Sequence, residues 1–442
     1  MKIDSIAEGS ESPSTLMDRT SSRARAYGII AGSAGNFVEW YDWFAYSAFT
    51  LYFAKRFFPQ GDQTAQLLQA AAVFAIGFFI RPIGAWAMGL YADRIGRRAA
   101  LTWSVSAMCA GSLAIALMPD YAAVGAWAPA GLMVARLVQG LSIGGEYGAS
   151  AAYMSEMSLR AHRGFWNSFH VASVVLGQLA ALAVLIVLQR FLSDTALGQW
   201  GWRIPFAIGG VLALAVFWIR FNAEESAAFL AAKAAGRKPR TLTLITQYPV
   251  ECFAVFVITS SGAMAFYAYT TYMQKFLVNT AGFTKEMATG LTAAVLIFFL
   301  FIQPLMGALS DKIGRKPLLV FGFGAGAIGT YPIMSAISGT SSPWVALLLM
   351  AILIVILSGY TSVNTLFKAE LFPTYIRGLG IGLPYAIANT IFGGTAEYAA
   401  LWFKQSGHEA NFYIYVSIAM ALAGIVALCV RDTGRHSRIV ED

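Results

Sequence analysis

Among the ionisable residues inside long apolar stretches of this chain are Glu39, Asp42, Arg81, Arg136 and Glu146. A charge at the centre of a hydrocarbon layer is costly, so each of them marks a pathway or a buried partner. Their settings are Asn36-Phe-Val-Glu39-Trp40-Tyr41-Asp42-Trp43, Arg81-Pro82, Arg136-Leu-Val-Gln139-Gly140 and Gly144-Gly145-Glu146-Tyr147. At about 1.5 Å of helix rise per residue, Asp42 lies ~18 Å and Arg136 ~15 Å from the same end of their stretches, so the two can form an ion pair. By the same arithmetic Glu39, Arg81 and Glu146 lie ~15–18 Å from the opposite face. An acid–arginine pair at mid-depth works as a proton switch. While it is closed the arginine keeps the carboxylate charged, and once it opens the buried carboxylate takes up a proton instead. Asp42, Arg136, Glu39 and Glu146 are therefore the proton-coupling candidates. Arg81 either pairs with Glu39 or Glu146 and only stabilises the fold, or serves as a fixed cation for a carboxylate substrate, whose shape the guanidinium fork matches.

A second set of residues repeats. Gly89-Leu-Tyr-Ala-Asp93-Arg-Ile-Gly96-Arg97-Arg98 follows the second apolar stretch, and Gly307-Ala-Leu-Ser-Asp311-Lys-Ile-Gly314-Arg315-Lys316 follows the eighth. Glu156 precedes Arg163-Gly164, and Glu370 precedes Arg377-Gly378, at one shared spacing after the fourth and tenth stretches. Such register means a duplicated unit, and parallel six-helix repeats around a central cavity are a transporter architecture. Gly96 and Gly314 suit a tight turn, while Gly89 and Gly307 allow helices to approach closely. Asp93 and Asp311 can bind loop arginines such as Arg97 and Arg315, or a neighbouring helix N-terminus, in one conformation only, which makes each loop a candidate gate.

These residues need a frame of membrane-spanning helices. The chain is 57% hydrophobic and only 12% charged, about half the charge of a soluble domain. Apolar stretches of spanning length recur at 27–54, 65–91, 99–118, 127–156, 164–191, 201–221, 248–277, 286–309, 317–337, 344–368, 377–404 and 411–430. The expected architecture is an all-α membrane protein of twelve transmembrane helices in two pseudo-symmetric six-helix bundles. Its parts are a tail (1–26), a first bundle (27–221), a linker (222–247), a second bundle (248–430) and a tail (431–442). Roughly 22 Lys and Arg fall on one side of this topology and about 7 on the other, which places both termini in the cytoplasm. The net charge of +8 thus reflects topology and not nucleic-acid binding. Residues 1–25 lack the apolar core of a signal peptide.

The remaining chemistry is sparse. Cys109, Cys252 and Cys429 are isolated, no zinc spacing occurs, and there is no HExxH, GxSxG or Walker sequence, so neither a metal, a cofactor nor an integral membrane enzyme is indicated. Gly140–Gly148 reads as close helix contact and not as a phosphate loop. Gln178, Tyr267, Tyr272, Gln303, Asn364, Tyr385, Asn389 and Glu397 can either line a cavity or bind helices together. Lys275 and Arg203 read as residues near the outer interface, and His170 as packing. The sequence gives no reason for anything beyond a monomer.

The paired GxxxD(R/K)xGR(R/K) loops and Arg136-x-x-Gln139-Gly140 resemble the major facilitator superfamily. Gly35-Asn36-Phe-Val-Glu39-Trp40-Tyr41-Asp42, Arg81-Pro82-x-Gly84 and Gly144-Gly145-Glu146-Tyr147-Gly148 resemble its metabolite:proton symporter branch. Within it, runs such as SIGGEYGASAAYMSEM, TTYMQKFLVNTAG and FGGTAEYAAL are most similar to the bacterial α-ketoglutarate permeases, over nearly the whole chain from Tyr27. The resemblance implies alternating-access import of α-ketoglutarate or a related dicarboxylate across the bacterial inner membrane, driven by the proton gradient without a cofactor. It also implies a protonatable Asp42 partnered by Arg136. Ala223-Glu224-Glu225-Ser226-Ala227 departs from the sugar-porter signature Pro-Glu-Ser-Pro-Arg, and the short C-terminal tail departs from the osmolyte carriers, so sugars, betaine and proline are disfavoured. The alternatives are a symporter for another organic acid (shikimate, citrate or an aromatic acid) and a transporter-like sensor.

Overall fold

The computed structural model describes residues 22–94, 97–143, 151, 155, 162–221, 241–373, 376–434 and 437, and the regular structure among them is helical throughout. Without water to satisfy peptide groups, an apolar chain spans lipid by bonding its backbone internally. Among the described residues, seven helical segments are long and apolar enough to cross a membrane. The first half comprises α1 (Ser22–Phe57), α2 (Gln63–Phe79), α3 (Arg81–Arg94), α4 (Arg97–Leu117), α5 (Trp127–Ile143), α6 (Arg163–Phe191) and α7 (Ile204–Phe221). The second comprises α8 (Pro249–Phe266), α9 (Met273–Asn279), α10 (Lys285–Ile313), α11 (Arg315–Ser338), α12 (Pro343–Thr361), α13 (Asn364–Leu371), α14 (Arg377–Ala388), α15 (Ala396–Gln405) and α16 (Glu409–Cys429). Local sequence sets several starts: Asp62 accepts from the Ala65 amide at 2.8 Å, Thr284 accepts from the Met287 amide at 3.2 Å, and Pro249 and Pro343 open their helices. Most of the expected linker lies outside the described residues, and Thr241–Gln247 is a short helix.

Four stretches expected as continuous spans are interrupted. The span 65–91 breaks at Ile80, where Pro82 has no amide hydrogen to offer and its ring crowds the preceding turn. Single π turns interrupt 248–277 at Tyr267–Thr271 and 377–404 at Asn389–Gly393. The stretch that begins at 344 runs on to Leu371, with a turn at Ser362–Val363. A π turn inserts one residue into the helical ladder and redirects the side chains after it, an irregularity common at functional sites.

The halves pack alike. In the first, α1 lies along α6, α2 along α5, and α4 along α7; in the second, α8 lies along α14, α10 along α12, and α11 along α16. Between the halves α6 runs against α10, and α2 packs against α15 and the Asn389 π turn. At the end carrying Gly314 (the loop end), α6 and α10 touch backbone to backbone: a Cβ at Gly164 would stand 2.5 Å from the Gly307 carbonyl oxygen, and the reverse substitution is as tight. At the far end Lys285 pairs with Asp194 at 2.9 Å, and Asn279 bonds Thr64 at 3.2 Å. The halves therefore meet at both ends. Exposed Trp127, Trp200, Trp344 and Trp402 ring the far end, as aromatic residues do at a membrane surface.

Because Gly164 and Gly307 belong to opposite halves, a larger side chain should wedge the loop end apart without disturbing either half. In a cysteine-free background, spin labels at positions 169 and 309 should move apart by several Å in a Gly164→Val variant. An unchanged distance distribution would contradict the close contact.

Candidate functional site

Asp42 on α1 is buried in a polar network. Ser112 on α4 donates a hydrogen bond to its Oδ1, and Gln139 on α5 donates from Nε2 to its Oδ2 at 2.6 Å. Arg136, also fully buried, donates to Gln139 Oε1 at 2.8 Å and to the Trp43 carbonyl at 3.3 Å. The expected direct Asp42–Arg136 ion pair is thus replaced by a relay through Gln139. Helix geometry explains it: Arg136 and Gln139 are three residues apart on one face, so the amide fills the space between guanidinium and carboxylate. The Arg136 guanidinium then rests on rings, 4.4 Å from the Trp43 centroid and 4.1 Å from that of Tyr46.

Arg81, at the start of α3, is buried against the same indole. Its guanidinium lies 4.2 Å from the Trp43 centroid, 4.0 Å from that of Phe78 and 5.6 Å from that of Trp40. Its Nε and one terminal nitrogen have no hydrogen-bond partner among the described residues. Tyr267, Tyr385 and Glu39 are among its neighbours. Buried guanidinium groups are ordinarily bonded, so Arg81 retains donor capacity for an anion.

Between the halves, lined by Arg81's neighbour Trp40, is a cavity whose polar wall is made by Trp40, His170, Tyr267, Asn364, Tyr385 and Asn389. Tyr267 and Asn389 open the two π turns, and Asn364 follows the Ser362–Val363 turn, so the interruptions deliver polar side chains to the cavity. His170, read from sequence as packing, is on this wall. Two other candidates are placed elsewhere: Gln303 donates to Ser358 and Thr361 within the second half, and Tyr272 reaches Glu409 at 3.5 Å. Gln178 is buried one turn beyond Val174, with its side-chain oxygen unbonded among the described residues. Glu146, Gly96 and the side chains of Asp93 and Arg97 lie outside the described residues, as does the environment of Gly89. Among the described residues no group of acidic, His and Cys side chains gathers as a metal site.

Nearer the far end Lys275 does not snorkel to the surface. It is completely buried, pairs with Glu397 at 2.8 Å, and donates to Ser47 of the first half at 2.6 Å. Ser47 in turn donates to Glu397 at 3.3 Å, so the triad ties the halves together. At the loop end Asp311 accepts from the amides of Gly164 and Phe165 at 2.7 and 3.0 Å, at the N-terminus of α6 in the opposite half. Arg315 holds Asp311 at 3.0 Å and Glu370 at 3.4 Å, while Gly314, at φ +95°, turns the chain beneath it.

Removing one member of a buried ion pair leaves the other uncompensated at a cost of roughly 3–5 kcal/mol, whereas replacing both by apolar groups is often neutral. Lys275→Met should therefore lower thermal stability in detergent strongly, and Lys275→Met with Glu397→Leu should recover most of it. A double variant no more stable than the single would contradict the pairing.

This geometry has relatives. Residues 28–242 and 238–437, one block for each half, match the family described as sugar (and other) transporter. The alpha-ketoglutarate permease of Escherichia coli K12 is 47% identical over 437 residues, 98% of this chain and 100% of that protein. A citrate-proton symporter of Klebsiella pneumoniae is 30% identical over 427 residues, 96% of each chain. A proline/betaine transporter of Escherichia coli K12 is 29% identical over 414 residues, 90% of this chain and 81% of that one. The Escherichia coli xylose transporter in a partially occluded inward open conformation superimposes with a TM-score of 0.72 at 19% identity, over 90% of this chain and 95% of that one. With two halves that repeat each other and relatives along its whole length, the chain belongs to the sugar (and other) transporter family, a membrane carrier with the twelve-helix fold of the major facilitator superfamily.

Proposed function

We propose that this carrier imports α-ketoglutarate or a related C4–C5 dicarboxylate together with protons, with its loop end and both termini on the cytoplasmic side of the bacterial inner membrane. The observation that carries the substrate class is Arg81: a buried guanidinium near the central cavity, with two nitrogens unbonded among the described residues, suits a carboxylate and gives an uncharged sugar no comparable partner. The permease and citrate symporter relatives support an organic acid, and the excess of Lys and Arg at the loop end supports the orientation.

The proposed cycle follows from the contacts. Asp42 takes a proton when its bonds to Gln139 and Ser112 loosen, because an unanswered carboxylate is costly in an apolar interior. Trp43 carries both Arg81 and Arg136 on one ring, so a carboxylate drawing on Arg81 also changes what holds Arg136 and, through Gln139, Asp42. The Lys275–Glu397–Ser47 triad and the Asp311 contacts to α6 close the two ends and must release in turn for the halves to rock.

The test is uptake of labelled 2-oxoglutarate into proteoliposomes under an inward proton gradient, with succinate, citrate, shikimate and betaine as competitors. Accumulation that collapses with an uncoupler and is competed only by C4–C5 dicarboxylates is expected. Proton-driven uptake of a different acid would reassign the substrate, and strong binding without counterflow would favour a sensor. Arg81→Lys keeps the charge but loses the fork, and should weaken dicarboxylate affinity by about tenfold, or ~1.4 kcal/mol. An unchanged KM would confine Arg81 to a structural role.

A further inference from the structure

Lys368 stands where a lysine would ordinarily mark the end of a span, in the last turn of α13, and yet it is completely buried. A lysine serving only topology would extend its ammonium to the membrane surface, as its long stem allows. Here the ammonium instead lies 4.5 Å from the ring centroid of Tyr385, with His170 among its neighbours. Both are wall residues of the central cavity, and so is Asn364, one helical turn before Lys368 on the same face of α13. Tyr385 is also within electrostatic reach of Arg81. One tyrosine therefore stands between a cation of the first half and a cation of the second, at the edge of one cavity.

We infer that Lys368 is the second anchor for a dicarboxylate, so that the substrate is held by one cation from each half of the protein. This deepens the proposed function and rests on it. Arg81 offers a planar fork with unbonded nitrogens, suited to the 2-oxo acid end, where carboxylate and keto oxygens share a plane. Lys368 is a compact point charge, sufficient for the distal carboxylate. A dianion answers both cations, one from each half. A monoanion answers only one of them. The arrangement thus makes the bridging dicarboxylate itself the ligand that draws the halves together, which selects substrates by charge at the closing step as well as at binding.

The experiment is titration of the purified full-length protein with 2-oxoglutarate and with 2-oxobutyrate, which keeps the 2-oxo acid end but lacks the second carboxylate. Quenching of tryptophan fluorescence reports occupancy, since Trp40 lines the cavity. In Lys368→Gln, 2-oxoglutarate should bind about 30-fold more weakly, the scale of one lost charge-assisted bond, while 2-oxobutyrate changes less than about twofold. Lys368→Arg should restore the preference for the dicarboxylate. A Lys368→Gln protein that keeps the wild-type preference, or loses both ligands equally, would overturn the assignment and leave the transport reading standing. A wild type that binds neither compound would sink both. If the glutamine variant does not fold, the two monomethyl esters of 2-oxoglutarate decide the matter on the wild type: each should bind far more weakly than the diacid, and either one binding as tightly would overturn the two-anchor geometry.

Discussion

A carboxylate keeps its charge inside a helix bundle only if something answers it, and Asp42 is answered at one remove. Gln139 faces Asp42 with its amide hydrogens and Arg136 with its oxygen, so acid and base are joined without touching. The consequence is a linkage that is easier to open than a bidentate ion pair. Two neutral–charged hydrogen bonds, each worth roughly 1.5–3 kcal/mol, hold it in place of a contact between two full charges. Arg136 meanwhile keeps part of its stabilisation from Trp43 and Tyr46, so it need not leave its site when Asp42 is released. A helix bundle that must alternate between two arrangements needs such partial satisfaction.

The rest of the molecule is arranged around that middle. The proposed anion site and the carboxylate network share Trp43, which makes the indole the shortest physical route between them. The two closures differ in kind. The far end is tied by a buried lysine–glutamate pair reaching across to a serine, and the loop end by a carboxylate on the N-terminus of a helix in the opposite half. Both are polar contacts across the interface, where release is possible at either end without unpacking an apolar core. The cavity lies between these two sets of contacts.

Much of this was legible in the residues. Charges inside apolar stretches pointed to Asp42, Arg81 and Arg136, and the repeated loops pointed to a duplicated six-helix unit, because hydrophobic length and charge placement are properties that composition displays directly. Helix rise put Asp42 and Arg136 at one depth, but depth says nothing about what stands between two side chains, so Gln139 was missed as the bridge despite sitting in the same motif. The interruptions of the spans at 248–277, 344–368 and 377–404 were not legible, since neither the two π turns nor the Ser362–Val363 turn contains a proline. With them went the means of telling Tyr267 and Asn389, which face the cavity, from Gln303 and Tyr272, which do not. Lys275 and Lys368 each lie near the end of an apolar run, where a lysine reads as an anchor or a topological charge. Only tertiary packing reveals that both are buried.

The central claim is that Asp42 couples proton movement to substrate movement, and replacing it by asparagine tests this most directly. The amide would retain the shape and much of the hydrogen bonding of the network while being unable to carry a proton. In proteoliposomes, Asp42→Asn should fail to accumulate 2-oxoglutarate against its gradient under an imposed proton gradient, yet should still exchange internal for external substrate. Uphill accumulation at the wild-type level by that variant would contradict the account.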